Sequence, residues 1–163
     1  MEHLYSPWRA TYIKSFKSPS KRKSCLFCSI ARSRKDSENL IVWRGQHCFV
    51  VLNRFPYNSG HVMIVPYRHT SKIEQLTGDE QAECFAVLPR CIAALKSLSN
   101  PHGFNFGANL GRVAGAGIAN HIHYHLVPRW NGDTNFMPVL SDTKLVSEDL
   151  VKMQKQLSKL LDL

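Results

Sequence analysis

The chain has 163 residues and a mass of 18.5 kDa, enough for one domain with a core of its own. Hydrophobic residues make up 44% and charged residues 20%, which excludes a collagen-like repeat, a coiled coil and a disordered chain. The formal net charge of +9 and the eight histidines stand out. The charge is concentrated: residues 1–35 hold nine Lys or Arg (Arg9, Lys14, Lys17, Lys21, Arg22, Lys23, Arg32, Arg34, Lys35) against the acid Glu2. Such a segment fits a nucleic-acid arm, an organellar transit peptide or a solvated face near an anionic ligand. Pro7 and Pro19 interrupt the helix a transit peptide needs. Within this stretch Cys25 and Cys28 form a C-x-x-C pair. The five cysteines are odd in number, with no secretory-type apolar run at the start and no stretch near the roughly 20 residues of a membrane span. Reduced thiols in a cytoplasmic, non-membrane protein are therefore expected.

Beyond the segment, Leu40–Arg44, Cys48–Leu52 and His61–Tyr67 read as strands, separated by Arg44-Gly45-Gln46 and by Pro56 to Gly60. Connections this short favour antiparallel pairing. Thr77-Gly78-Asp79-Glu80 has capping-box spacing and opens a helix whose predicted apolar face is Phe85, Leu88, Ile92 and Leu95. Pro89 lies inside it, so a kink or break is expected there, and Ser99 to Gly103 ends it. Two more strands follow, Phe104–Leu110 and His121–Arg129, divided by a Gly/Ala-rich loop from Gly111 to Ala119. Ser147 is positioned to cap a last helix with an apolar stripe of Leu150, Met153, Leu157 and Leu160. The order implies an α+β fold with a mainly antiparallel sheet. Cys48, Cys84 and Cys91 fall within these elements and read as packing residues.

The strand at His121 carries the most chemistry. Alternation places His121, His123 and His125 on one face and Ile122, Tyr124 and Leu126 on the other. Three adjacent imidazoles are poor packing material, which leaves three metal ligands with an open position, or a nucleophile with supporting histidines. The loop from Asn109 through Gly117 precedes them with three glycines, so its backbone N–H groups can approach an anion. That combination suits a phosphate held against an attacking imidazole.

His121-Ile122-His123-Tyr124-His125-Leu126-Val127 resembles the signature of the histidine-triad (HIT) superfamily of nucleotidyl hydrolases and transferases. Leu52-Asn53-Arg54-Phe55-Pro56 and Gly60-His61-Val62-Met63-Ile64-Val65-Pro66 resemble its nucleoside-binding hairpin. Pro128 to Phe136, and Pro7-Trp8-Arg9, resemble the bacterial branch related to diadenosine tetraphosphate phosphorylases and hydrolases. The resemblance implies a single HIT-like domain over residues 1–163, with a five-stranded sheet, one long helix and a C-terminal helix. It implies His123 as a nucleophile attacking the α-phosphorus, and His125 at the phosphate, assisting proton traffic to the leaving group. Asn109 and the N–H groups of Gly115, Ala116, Gly117 and Ile118 would hold phosphate oxygens. Asn53 would bind ribose, His61 would support the catalytic strand, and Val51 and Phe55 would flank the base. Many relatives carry Gln, Ser or Thr before the histidine strand where this chain has Ala116-Gly117-Ile118-Ala119, so phosphate contacts there fall to the backbone. The resemblance further implies a homodimer, requires no divalent metal for the chemistry and leaves Mg²⁺ open as a companion of polyphosphate.

Cys25, Cys28, His69 and His121 supply the residue types of a closed tetrahedral zinc site, and zinc-containing members of the superfamily use the first triad histidine as a ligand. A redox pair and simple packing are the competing readings of the cysteines; no thioredoxin-like βαβ pattern surrounds them. Against the enzyme stand a nucleotide- or nucleic-acid-binding regulator using the basic segment, and a three-histidine catalytic zinc hydrolase. Nucleic acid is not expected as a partner, because residues 36–163 are nearly neutral.

Overall fold

The computed structural model describes residues 24–133 and 149–162. Helix α1 (Leu26–Arg32) and the single turn α2 (Asp36–Asn39) lead into strands β1 (Ile41–Arg44), β2 (Cys48–Leu52) and β3 (Val62–Pro66). Helix α3 (Gly78–Ser99) follows, then β4 (Gly103–Gly107), β5 (Tyr124–Arg129) and helix α4 (Leu150–Leu161). The five strands form one sheet in the order β1-β2-β3-β5-β4, antiparallel throughout. This is the expected α+β fold. Neither α1 nor α2 is visible in the sequence pattern, since seven and four residues are too short to carry a periodicity. No helix among the described residues is long and apolar enough to cross a membrane.

The strands begin and end within a few residues of expectation except where the chemistry lies. The predicted strand His121–Arg129 starts only at Tyr124, so His121 and His123 sit on the entering segment. That segment is held instead by Ile122, whose N–H donates to the Thr70 carbonyl at 2.6 Å. The alternation still sends Ile122, Tyr124 and Leu126 into the core at 4% exposure or less. The predicted strand Phe104–Leu110 is also shorter at its far end, because the chain leaves the sheet after Gly107 and Asn109 enters the loop.

Helix α3 carries the predicted capping box: the Thr77 hydroxyl accepts the Glu80 N–H, and the Glu80 carboxylate accepts the Thr77 N–H. Its buried face coincides with the expected one only at Leu95. Cys84, Val87, Cys91, Ala94 and Leu95 are buried, whereas Phe85 is 52% exposed and Leu88 and Ile92 are only partly covered. Both stripes have +3, +4 spacing, and the smaller side chains let the helix lie close against the sheet. The helix is not broken at Pro89. The carbonyl deprived of its donor is that of Phe85, a residue on the exposed side of the helix.

Glu83 ties this helix to the sheet. Its carboxylate accepts the N–H groups of Gln46, His47 and Cys48 at 2.9, 2.6 and 2.8 Å, closing the β1–β2 turn. Burial alone would raise its pKa, but the three N–H bonds outweigh that and hold it below the usual carboxylate range. The last helix is capped by Asp149, which accepts the N–H groups of Val151 and Lys152; Ser147 lies outside the described residues. Met153 and Leu157 of its predicted stripe are buried, with Leu150 and Leu160 packed beside them.

Candidate functional site

Four histidines have their tautomers fixed by the groups around them. His123 is 5% exposed, with Nδ1 2.9 Å from the carbonyl oxygen of His121. A carbonyl only accepts, so Nδ1 carries the hydrogen and Nε2 presents its lone pair. Burial pushes the pKa of this imidazole down, with the carbonyl bond opposing, so the ring is neutral at pH 7.

His125 has the opposite tautomer. The Tyr57 N–H donates to His61 Nδ1 at 3.1 Å, and Asn53 Nδ2 lies 3.3 Å from the same atom. His61 Nδ1 is therefore unprotonated, and its Nε2–H donates to His125 Nδ1 at 2.9 Å. The hydrogen of His125 then resides on Nε2, an atom buried without a hydrogen-bond partner among the described residues. Burial, with His123 adding, drives the His125 pKa down to about 4. The rings of His123 and His125 stand 4.8 Å apart. One neutral imidazole offers a lone pair and its neighbour offers an N–H, the pairing needed to attack a phosphorus centre while donating to one of its oxygens.

His121 turns the other way. Its Nε2–H donates to the Pro66 carbonyl at 2.9 Å, which frees the Nδ1 lone pair. That Nδ1 lies 3.4 Å from Cys25 Sγ, 3.6 Å from Cys28 Sγ and 3.3 Å from His69 Nδ1, and Cys28 Sγ is 3.4 Å from His69 Nδ1. All four ligand atoms lie within 4.8 Å of one another. A tetrahedron built with Zn–S near 2.3 Å and Zn–N near 2.05 Å has N···N edges of about 3.3 Å and S···N edges of about 3.5 Å. The residues present fit a zinc ion. Helix α1 and its N-cap supply the two cysteines, and between them Phe27, 1% exposed, packs against the rings of His121 and His123 at 5.4 and 4.9 Å.

The loop before the histidines is built on Gly111 and Gly115, with φ of 84° and 90°, a backbone open to glycine at little cost. The Gly115 and Ala116 N–H groups close the loop itself, donating to the carbonyls of Arg112 and Gly111 at 3.0 and 3.3 Å. Asn109, His125 and Tyr57 border a cavity of 250 Å³ on the open face of the sheet.

The HIT domain family matches this chain over residues 34–132. The chain belongs to the histidine-triad family. A histidine-triad relative in Mycobacterium tuberculosis, named AP-4-A phosphorylase, is 41% identical over 154 residues, covering 91% of this chain and 78% of that protein. A Zn-bound histidine triad family protein from Mycobacterium smegmatis has a TM-score of 0.67 at 26% identity, covering 85% of this chain and 94% of that one. A hypothetical histidine triad nucleotide-binding protein from Sulfolobus tokodaii gives 0.67 at 25% identity, with 85% and 92% covered.

Within this histidine-triad chain the residues expected from sequence fall into four groups. His125 and Asn109 border the open-face cavity with the buried His123 ring 4.8 Å from His125, and Cys25, Cys28, His69 and His121 form the second cluster. His61 is 0% exposed and donates its Nε2–H to His125 Nδ1. The Asn53 side chain serves that same relay while its Oδ1 accepts the Phe55 N–H. The N–H groups of Gly115 and Ala116 are engaged within their own loop. Sequence reasoning missed Phe27 and Tyr57. The first sits inside the C-x-x-C pair, and the second four residues before His61, where its ring lies tilted against that histidine at 4.7 Å and stacks on His125 at 5.8 Å.

Proposed function

We propose that this protein is a nucleotidyl transferase that cleaves dinucleoside polyphosphates through a covalent His123 intermediate and passes the nucleotidyl group to inorganic phosphate. The opposed tautomers of His123 and His125 carry this reading. His123 Nε2 forms a bond to the α-phosphorus as the bond from that phosphorus to the bridging oxygen breaks. The His121 carbonyl, bound to Nδ1–H, takes up the positive charge that develops on the ring. His125 Nε2–H donates a hydrogen bond to the departing oxygen, and the polyphosphate leaves as an anion that needs no proton. An anionic phosphate acceptor then attacks the same phosphorus and releases Nε2. It also needs no base, which suits a His125 whose Nε2 already holds its hydrogen; the name of the Mycobacterium tuberculosis relative agrees with phosphorolysis.

Asn109 with the Gly117 and Ile118 N–H groups would hold the non-bridging oxygens, and Val51 and Phe55 would flank the base on the β2 side. A zinc ion held by Cys25, Cys28, His69 and His121 would fix α1 against the nucleophile's segment, a structural and not a catalytic contribution. Incubation with diadenosine tetraphosphate tests the reading directly. With phosphate present the products are ADP and ATP in equal amounts; AMP and ATP at the same rate with or without phosphate would identify water as the acceptor.

The edge strand β4 supports a homodimer. It ends the sheet, and Phe106 upon it and Phe85 beside it are 39% and 52% exposed. A strand edge that pairs with no other strand among the described residues and is flanked by aromatics suits coverage by a second copy of this chain. Sedimentation at micromolar concentration is expected to give the mass of two chains, and a one-chain mass would refute the assignment.

A further inference from the structure

The strand register divides the sheet into two faces at the catalytic histidine. Directly paired residues project to the same side, so His125 stands beside Gly107, Val127 beside Asn105, and Arg129 beside Gly103. The alternate residues, Tyr124, Leu126 and Phe106, lie on the other side, where Tyr124 and Phe106 meet Phe85 of α3. Along the histidine face, β4 offers glycine at both 103 and 107, and a Cβ built at either would meet no heavy atom within 4 Å. Among the described residues, the space above the strand is open at these two positions.

Two open depressions border the strand along its length. The 250 Å³ cavity at His125 runs over Gly107 and Val127 to Asn105. A second, of 380 Å³, begins at the same Asn105 and continues over Gly103 to Arg129, Trp130 and His102. From Gly107 to Gly103 the strand covers about 14 Å at a rise of about 3.4 Å per residue. The chemistry changes along the way. Nearest the reaction are His125 Nε2–H and Asn109. Midway is Asn105, whose Oδ1 accepts from Arg129 Nη1 at 2.8 Å, while Asp133 grips the opposite edge of the guanidinium at 2.5 and 2.9 Å. The Arg129 fork is thus held in place beside the second cavity, and the indole of Trp130, fixed by its Nε1–H to the Ser99 carbonyl at 3.1 Å, lines its end.

We propose that this glycine-floored track on β4 and β5 binds the departing half of the substrate, with its polyphosphate passing Asn105 and Arg129 and its terminal nucleoside reaching Trp130. The assignment rests on the nucleotidyl-transfer reading of the histidines and adds the leaving-group subsite to it. Anionic oxygens take donors from Asn105 and Arg129, and a base stacks on an indole whatever its identity. The nucleoside that becomes attached to His123 would occupy the β2–β3 side, where Val51 and Met63 pair on the histidine face. The two halves of a symmetrical dinucleotide therefore meet different surfaces.

Two substrates separate the track from the chemistry. Diadenosine tetraphosphate fills it, and adenosine 5′-phosphoramidate, whose leaving group is ammonia, does not enter it. Gly103→Val and Asn105→Leu each place apolar bulk in one of the two cavities, and no left-handed backbone conformation stands against a side chain at 103. Each variant is expected to lower the ratio of kcat/KM for the dinucleotide over that for the phosphoramidate by about tenfold, the scale of one lost stacking or phosphate contact. An unchanged ratio in a variant that still turns over the phosphoramidate overturns the track while leaving the nucleophile assignment intact. A wild-type protein that processes neither substrate overturns both. Because the substitutions act at separate places, misfolding of one, seen as loss of both activities, leaves the other to decide.

Discussion

His123→Ala is expected to lower turnover of diadenosine tetraphosphate by about 10⁴-fold or more, the scale set by removal of a nucleophile from a preassembled site. The loss is expected in kcat, with little change in KM, because the side chain acts on the phosphorus and the binding groups remain. Mass spectrometry of the wild type quenched during turnover should find a nucleotidyl group on His123, and the variant should carry none. More than a few per cent of wild-type activity in the variant would end the assignment. Acidity gives a second handle on the pair. His125 is neutral above a pKa near 4, against 6.5 for a free imidazole, so its favourable buried form is fully present above pH 6.5. Stability from this group is then lost as pH falls from 6.5 toward 4, where the unfolded chain binds the proton first.

Cys25→Ser is expected to reduce zinc from one ion per chain to a small fraction, and to lower Tm by roughly 10 °C, taking a few kcal/mol for a lost structural ligand and about 2–4 °C per kcal/mol at this chain size. The reason lies in the short path between clusters. His121 gives its Nδ1 to the cysteine side, its Nε2–H to Pro66 and its carbonyl to His123, while Phe27 contacts both rings. Removal of one thiolate releases α1 and with it a wall of the nucleophile. Activity should fall less than in His123→Ala, since no reacting atom is lost. Elemental analysis together with a melting curve checks this: one zinc per chain at an unchanged Tm in the variant would remove the four residues as a metal site.

Much of this architecture is legible in the chain. Alternation from Ile122 to Leu126 marks the core-facing side of the histidine segment even though the strand itself begins at Tyr124. The capping box at Thr77 and the stop at Asn100 bracket α3 because both act through the local backbone. What the chain could not reveal depends on contacts between distant segments. Two apolar stripes on α3 satisfy the same spacing, and only the shape of the sheet beneath selects the one with Cys84 and Cys91. The gathering of Cys25, Cys28, His69 and His121 joins elements up to 96 residues apart, and spacing alone indicates the types without the distances. The direction of the hydrogen on His125 is further still from view, since it follows from a backbone N–H at Tyr57 transmitted through His61.

That transmission has a bearing on how freely such a site can drift. Three of the groups that orient its imidazoles, the Tyr57 N–H, the His121 carbonyl and the Pro66 carbonyl, belong to the main chain. Substitution at position 57 or 66 replaces a side chain and retains the carbonyl or, for any residue but proline, the N–H. The arrangement of hydrogens is thereby insulated from most single-codon changes at those positions. Variation can accumulate in the lining of the pocket, altering which nucleotides are accepted, without first rebuilding the reacting pair.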